Sequence, residues 1–133
     1  MSAPALEEWF SLEARRNRKS FMLSIVALFA TFTVCYFVWL LFAETPRGKN
    51  LGLLVFGIPT SICSYLLVAQ RLRDFGVSGW FALLQLPINA FDGEIGGALT
   101  LAALIVLCGI PGTTGPNKFG DDPLGDARRP DRA

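Results

Sequence analysis

The sequence predicts an all-α polytopic membrane protein: two full transmembrane helices, then a short helical hairpin that makes four spans, with both termini cytoplasmic. Three observations lead there. The 133 residues are 52% apolar and 17% charged, whereas a soluble domain carries about a quarter charged residues. Charge is excluded from four apolar stretches, 21–43, 51–69, 78–91 and 95–110. The residues outside them are divided among two ends and three loops, which leaves no room for a second soluble domain. The composition also excludes a disordered chain, a collagen-like chain and a disulfide scaffold.

The elements follow in order. Residues 1–20 form a cytoplasmic or interfacial amphipathic segment. After Pro4, Leu6, Trp9 and Phe10 share one helical face, and the chain then turns basic. Trp9 suits the headgroup level. Residues 21–43 make a helix of roughly 34 Å, enough for a ~30 Å hydrocarbon core. They are too long for a signal-peptide core, and Glu7, Glu8 and Glu13 precede them. Residues 51–69 span roughly 28 Å. Pro59 should kink this helix, with Thr60, Ser61 and Ser64 satisfying the freed backbone. Residues 78–91 and 95–110 reach only about 21 and 24 Å, joined at Asp92-Gly93-Glu94. They form a hairpin that either crosses with snorkelled ends or re-enters without crossing. The tail, 111–133, is rich in proline and glycine; it is expected to be ordered to about 123 and flexible beyond.

Orientation follows from the cations. Four crossings put Arg15, Arg16, Arg18, Lys19, Arg71, Arg73, Lys118, Arg128, Arg129 and Arg132 on one side and Arg47 and Lys49 on the other. The positive-inside rule makes the richer side cytoplasmic. A re-entrant hairpin would leave both termini inside. Net charge of +1 gives no reason to expect a nucleic-acid partner. Arg15, Arg18 and Lys19 are candidates for holding anionic lipid headgroups at about 1 kcal/mol per cation; the plainer reading makes them an orientation signal.

The absence of histidine removes the usual general base, His-dependent triads and most zinc sites. Cys35, Cys63 and Cys108 lie on three different spans with no C-x-x-C, and read as small apolar residues. No metal, cofactor or catalytic constellation is expected. No Asp, Glu, Lys or Arg lies within the spans, which argues against a proton relay. Gln85 and Asn89 flank Pro87 and read either as interhelical glue or as the lining of a polar path. Gly93 and Gly97, continued by Ala98 and Ala102, suggest close packing of the last span.

Two segments carry more charge than a turn requires. In the first, Arg71 to Trp80, Gly76 can end a helix in the left-handed conformation, Ser78 can open the next one, and Trp80 belongs at the interface. The second runs from Gly112 to Pro123, and its glycines permit an anion-binding nest of amides. Both emerge on the cytoplasmic face. We expect them to meet in one polar cluster of Arg71, Arg73, Asp74, Gly76, Ser78, Gly79, Trp80, Gly112, Gly115, Asn117, Lys118, Phe119, Gly120 and Asp122. The expected pairs are Arg71 or Arg73 with Asp122, and Asp74 with backbone amides or Lys118. A cation left over would meet a phosphate or headgroup; the plainer alternative is that the network only holds the tail down.

These motifs resemble the small bacterial inner-membrane proteins of domain-of-unknown-function family 805. Arg15, Arg18 and Phe21 match an R-x-x-R-x-x-aromatic opening. Arg71 to Trp80 match R-L-[HR]-D-x-G-x-S-G-W, and Gly112, Gly115, Asn117, Phe119, Gly120, Asp122 and Pro123 match the tail pattern. Ala14, Arg73 and Phe81 stand where the family often has Gly, His and Trp. The resemblance implies a multi-pass inner-membrane protein and no established activity. Three functions compete: a non-enzymatic binding or organising protein, alone or with a membrane-protein partner; a small oligomeric transporter or channel; and an enzyme acting on a lipid-linked substrate, with Asp74 or Asp122 as base.

Overall fold

The computed structural model describes residues 15–90, 93–122 and 124, with the side chains of Asn89 and Ala90 excepted. The interfacial segment before Arg15, the Asp92 turn, the chain beyond 124 and the role of Asn89 lie outside the described residues. Among the described residues there are four α-helices: α1, Arg18–Phe42; α2, Pro46–Asp74; α3, Gln85–Ala90; and α4, Gly93–Gly109. A 3-10 segment, Gly79–Leu84, precedes α3. The described residues contain no strand, only an isolated bridge between Asn117 and Gly120.

Helix α1 starts at Asn17, whose side chain accepts the Ser20 amide at 2.9 Å and satisfies an otherwise orphaned N–H. A short link returns the chain into α2, where Thr45 caps Gly48 at 3.1 Å and Pro46 stands in the first turn, a position that needs no amide hydrogen. The hairpin is closed at this end by Trp39. Its indole donates to the Gly48 carbonyl at 2.9 Å and packs against Gly52, where a Cβ would overlap the ring atoms Cδ1 and Nε1. Pro59 stands within α2, and the Thr60 hydroxyl donates to the Phe56 carbonyl at 2.7 Å, one residue from the carbonyl that proline leaves unmatched.

Two expectations need correction. Arg71, Arg73 and Asp74 are not in a loop: they form the last turn of α2, which continues to Asp74 because no residue from 70 to 74 breaks a helix. The helix then ends in a Schellman motif, with Val77 N–H on Leu72 O, Gly76 N–H on Arg73 O, and Gly76 at φ 74°. Nor is 78–91 one α-helix. Ser78 stands at the start of a 3-10 turn without a side-chain cap bond, and α-helix begins only at Gln85.

Helices α1 and α2 are each long and apolar enough to cross a membrane. Only 11% and 22% of their most apolar stretches are buried within the protein, so their outer faces are almost wholly aliphatic and aromatic. The core gathers at one end, where Phe21, Ile25 and Leu28 of α1 meet Leu67, Val68 and Ala69 of α2, Ala82 and Leu107. Helix α4 is shorter, about 25 Å at 1.5 Å per residue, and its last turn reaches that same end. The segment 110–122 leaves from there.

Candidate functional site

Three elements therefore finish together: the start of α1, the end of α2 and the end of α4. A helix end leaves orphaned carbonyls or amides, and in an apolar setting these need partners. The sequence supplies arginines. Arg71, fully buried, donates from Nε to the Leu107 carbonyl at 2.9 Å and from Nη2 to the Ile110 carbonyl at 2.6 Å. It thus caps the end of α4 with a cation, which also suits the negative end of the helix dipole. Its Nη1 bonds the Arg16 carbonyl at 3.2 Å and pairs with the Asp74 carboxylate one turn on.

Asp74 is the hinge of the cluster. Its other oxygen pairs with Arg15 Nη2 at 3.0 Å, with both side chains at most 5% exposed. The guanidinium of Arg15 reaches onward to the Thr113 carbonyl at 2.8 Å, the Gly115 carbonyl at 2.8 Å and the Gly120 carbonyl at 3.0 Å. Its planar fork thereby holds the segment before α1, the end of α2 and the tail in one plane of bonds. The Asp74 carbonyl in turn accepts the Thr113 amide and hydroxyl, each at 2.8 Å. Gly112 passes directly over the carboxylate, and a Cβ there would overlap it.

The tail is organised to present these groups. Asn117 donates to the Arg73 carbonyl and to Thr113 Oγ1, both at 3.0 Å, and accepts the Phe119 amide at 2.8 Å. Gly115 and Gly120 hold φ values of 79° and 124°, open to glycine. Asp122 accepts the Gly115 amide and the Leu124 amide, each at 2.9 Å. A second polar knot flanks the first: Arg16 Nε donates to Gln70 at 2.8 Å, and its Nη1 to Ser20 and Ser24 at 2.8 and 2.9 Å.

A family model, described as a protein of unknown function (DUF805), matches residues 9–121. The chain belongs to this family. No curated protein and no solved structure matches it.

In this DUF805 chain the two polar motifs do meet, but through other partners than the sequence suggested. Arg71 pairs with Asp74, and Asp122 serves as a turn acceptor within the tail. Lys118 lies over the Phe119 ring, 4.9 Å from its centroid. Arg73 is half-buried, and its guanidinium rests on Gly79, where a Cβ would come within 2.8 Å of Nη2. Trp80 stands apart from the cluster, 74% exposed. Arg15, expected at the lipid surface, is buried, because its charge is matched by Asp74 and its remaining donors by tail carbonyls. Gln70 and Ser24 escaped the sequence reading, Arg16 was read only as an orienting cation, and Thr113 only as part of the tail motif. Gln85 donates to Ser64 at 3.2 Å, in keeping with the glue reading.

Arg18 and Lys19 remain exposed on the first turn of α1. With Asn17, Gly112, Thr113 and Asp122 they border a cavity of about 330 Å³ beside Asp74. Among the described residues no group of His, Cys, Asp and Glu could hold a metal ion.

Proposed function

We propose that this chain is a multi-pass protein of the bacterial inner membrane, with both termini cytoplasmic, and that its clustered helix ends form a non-enzymatic binding platform for an anionic phospholipid headgroup. The observation that carries this reading is the cavity bordered by Arg18 and Lys19. Arg15 and Arg71 are engaged inside the network. Arg18 and Lys19 stand at the rim with no ion pair among the described residues. They begin a helix whose first turn holds no acidic residue, so the dipole adds to their attraction for phosphate. The membrane placement is supported by the nearly unburied apolar faces of α1 and α2, and the orientation by the distribution of cations. The arginine network makes the platform rigid.

Native mass spectrometry of the full chain, released from bilayers of zwitterionic and anionic phospholipid, tests this. The wild type should retain anionic lipid selectively. Arg18→Gln with Lys19→Gln removes two surface cations at about 1 kcal/mol each, and should weaken retention by roughly thirtyfold without unfolding the protein. Unchanged retention of anionic lipid in that variant overturns the proposal.

A further inference from the structure

The lining of the cavity beside Asp74 divides by chemistry. The start of α1 brings Asn17, Arg18 and Lys19, and the tail brings Thr113 and Asp122. The α1 residues donate. Asn17 Oδ1 is taken by the Ser20 amide, while its Nδ2 donates no bond among the described residues. Arg18 and Lys19 are exposed, and neither forms an ion pair there. The tail residues accept. Thr113 has committed both its amide and its hydroxyl hydrogen to the Asp74 carbonyl. The Asp74 carboxylate is paired with Arg15 and Arg71. Asp122 is different: it is half-buried, and its oxygens accept the Gly115 and Leu124 amides rather than either buried guanidinium. An ionised carboxylate only accepts, at about four sites. A bare phosphate drawn in by Arg18 and Lys19 would therefore set its oxygens beside this carboxylate, acceptor against acceptor. A hydroxyl carried beyond the phosphate removes that conflict, because it donates to Asp122. An ammonium would also suit Asp122, but in a cavity of about 330 Å³ it would stand close to Arg18 and Lys19 and be repelled by them.

We propose that the lipid selected by this platform is a phosphodiester carrying a polyol, with its phosphate among Asn17, Arg18 and Lys19 and a hydroxyl of the polyol on the Asp122 carboxylate. Glycerol is the smallest such substituent. The volume is close to the ~300 Å³ at which small-molecule sites begin, so the phosphate and a short polyol enter together. The inference rests on the headgroup reading above and adds a role for Asp122 as the group that tells one anionic headgroup from another.

The test is competitive lipid retention by the full chain, read by native mass spectrometry. The bilayer holds equal parts of phosphatidylglycerol, phosphatidylpropanol, phosphatidylserine and phosphatidylcholine with identical acyl chains. Phosphatidylpropanol matches phosphatidylglycerol in charge and carbon skeleton and lacks only the two hydroxyls. The wild type should retain phosphatidylglycerol about tenfold over phosphatidylpropanol, as a hydrogen bond to a charged acceptor provides. Asp122→Asn keeps the shape and removes the charge, and should reduce that preference to about threefold or less. Equal retention of the two, with both held above phosphatidylcholine, overturns this inference and leaves the headgroup platform standing. Failure of every anionic lipid to exceed phosphatidylcholine overturns both. Phosphatidylserine held above phosphatidylglycerol makes the donor an ammonium and overturns the polyol, and a full preference in Asp122→Asn overturns the role of the carboxylate. Displacement of the lipid by deacylated glycerophosphoglycerol at equal concentration assigns the site to a soluble phosphodiester and overturns the lipid source. Trypsin cleavage at Lys118 reports whether the tail of Asp122→Asn is still docked; where it is not, the wild-type ranking decides.

Discussion

Replacing Asp74 by Asn removes one negative charge and nothing of the side chain's shape. In the folded protein that charge faces two guanidiniums, Arg15 at 3.0 Å and Arg71 on the other oxygen, and all three side chains are nearly or fully buried. The asparagine amide can still accept from one arginine but turns an N–H toward the other, so a donor meets a donor. Breaking a buried ion pair by removing one partner costs about 3–5 kcal/mol, because the charge left behind is desolvated and uncompensated. Here two charges are left, and we expect the upper part of that range. Reversible unfolding in mixed micelles, followed by loss of helicity as dodecyl sulfate is added, measures the difference. Trypsin susceptibility at Lys118 gives the local readout: Asp74→Asn should expose it, since Arg15 and the Asp74 carbonyl both anchor the tail. In a double-mutant cycle, Asp74→Asn and Arg15→Met should couple by about 1–3 kcal/mol, as contacting residues do. A loss below about 1 kcal/mol, with the tail still protected and no coupling, would show that the carboxylate does not hold this end together.

Other substitutions separate the same picture from its rivals. Gly112→Ala drives a Cβ into the Asp74 carboxylate and should cost about 1–3 kcal/mol, whereas Gly97→Leu meets open space in the single chain and should leave its unfolding unchanged. Asp122→Arg should destabilise the tail, but Arg71→Asp should not rescue it, because Arg71 is committed to Asp74 and the end of α4; recovery in the pair would restore the Arg71–Asp122 pairing. Arg71→Lys keeps the charge but cannot span two carbonyls and a carboxylate; hydrogen exchange in the last turn of α4 should quicken. For topology, single cysteines at Asn50, Glu94 and Asp126 in a background lacking Cys35, Cys63 and Cys108 should label from outside at 50 and 94 but not at 126. Labelling at 50 without 94 would indicate a re-entrant hairpin.

The parts of this architecture that could be read from sequence were those set by local rules. Uncharged length located α1 and α2, and Gly76 marked where α2 stops, since a left-handed residue there tolerates little else. The meeting of the two polar motifs followed from connectivity alone. Partner choice did not. Asp74 and Arg71 are three residues apart and share a face only because α2 runs on to Asp74, which the polar character of residues 70–74 disguised as a loop. The burial of Arg15 depends on Asp74 and on carbonyls of a tail far away in sequence, and that of Arg16 on Gln70, Ser20 and Ser24; no property of a basic run distinguishes guanidiniums destined for a helix end from those left in water. The packing attributed to Gly93 and Gly97 is not seen among the described residues: apart from its chain neighbours and its own helix backbone, nothing lies within 4 Å of a Cβ at either position.

The reach of Arg15 has a consequence for how the chain is made. Its tail partners Gly115 and Gly120 lie 100 and 105 positions downstream, whereas Asp74 lies 59 positions away. At about 5–20 residues per second, synthesis of the stretch between Arg15 and Gly115 takes roughly 5–20 s. The carboxylate arrives first and can hold the guanidinium as soon as the hairpin of α1 and α2 is assembled. The remaining donors wait for the tail. The segment from Thr113 to Gly120 thus acts as a latch closed late in synthesis, and a ribosome that stalls before it releases a nascent chain whose first two helices are made but whose arginine still lacks most of its acceptors.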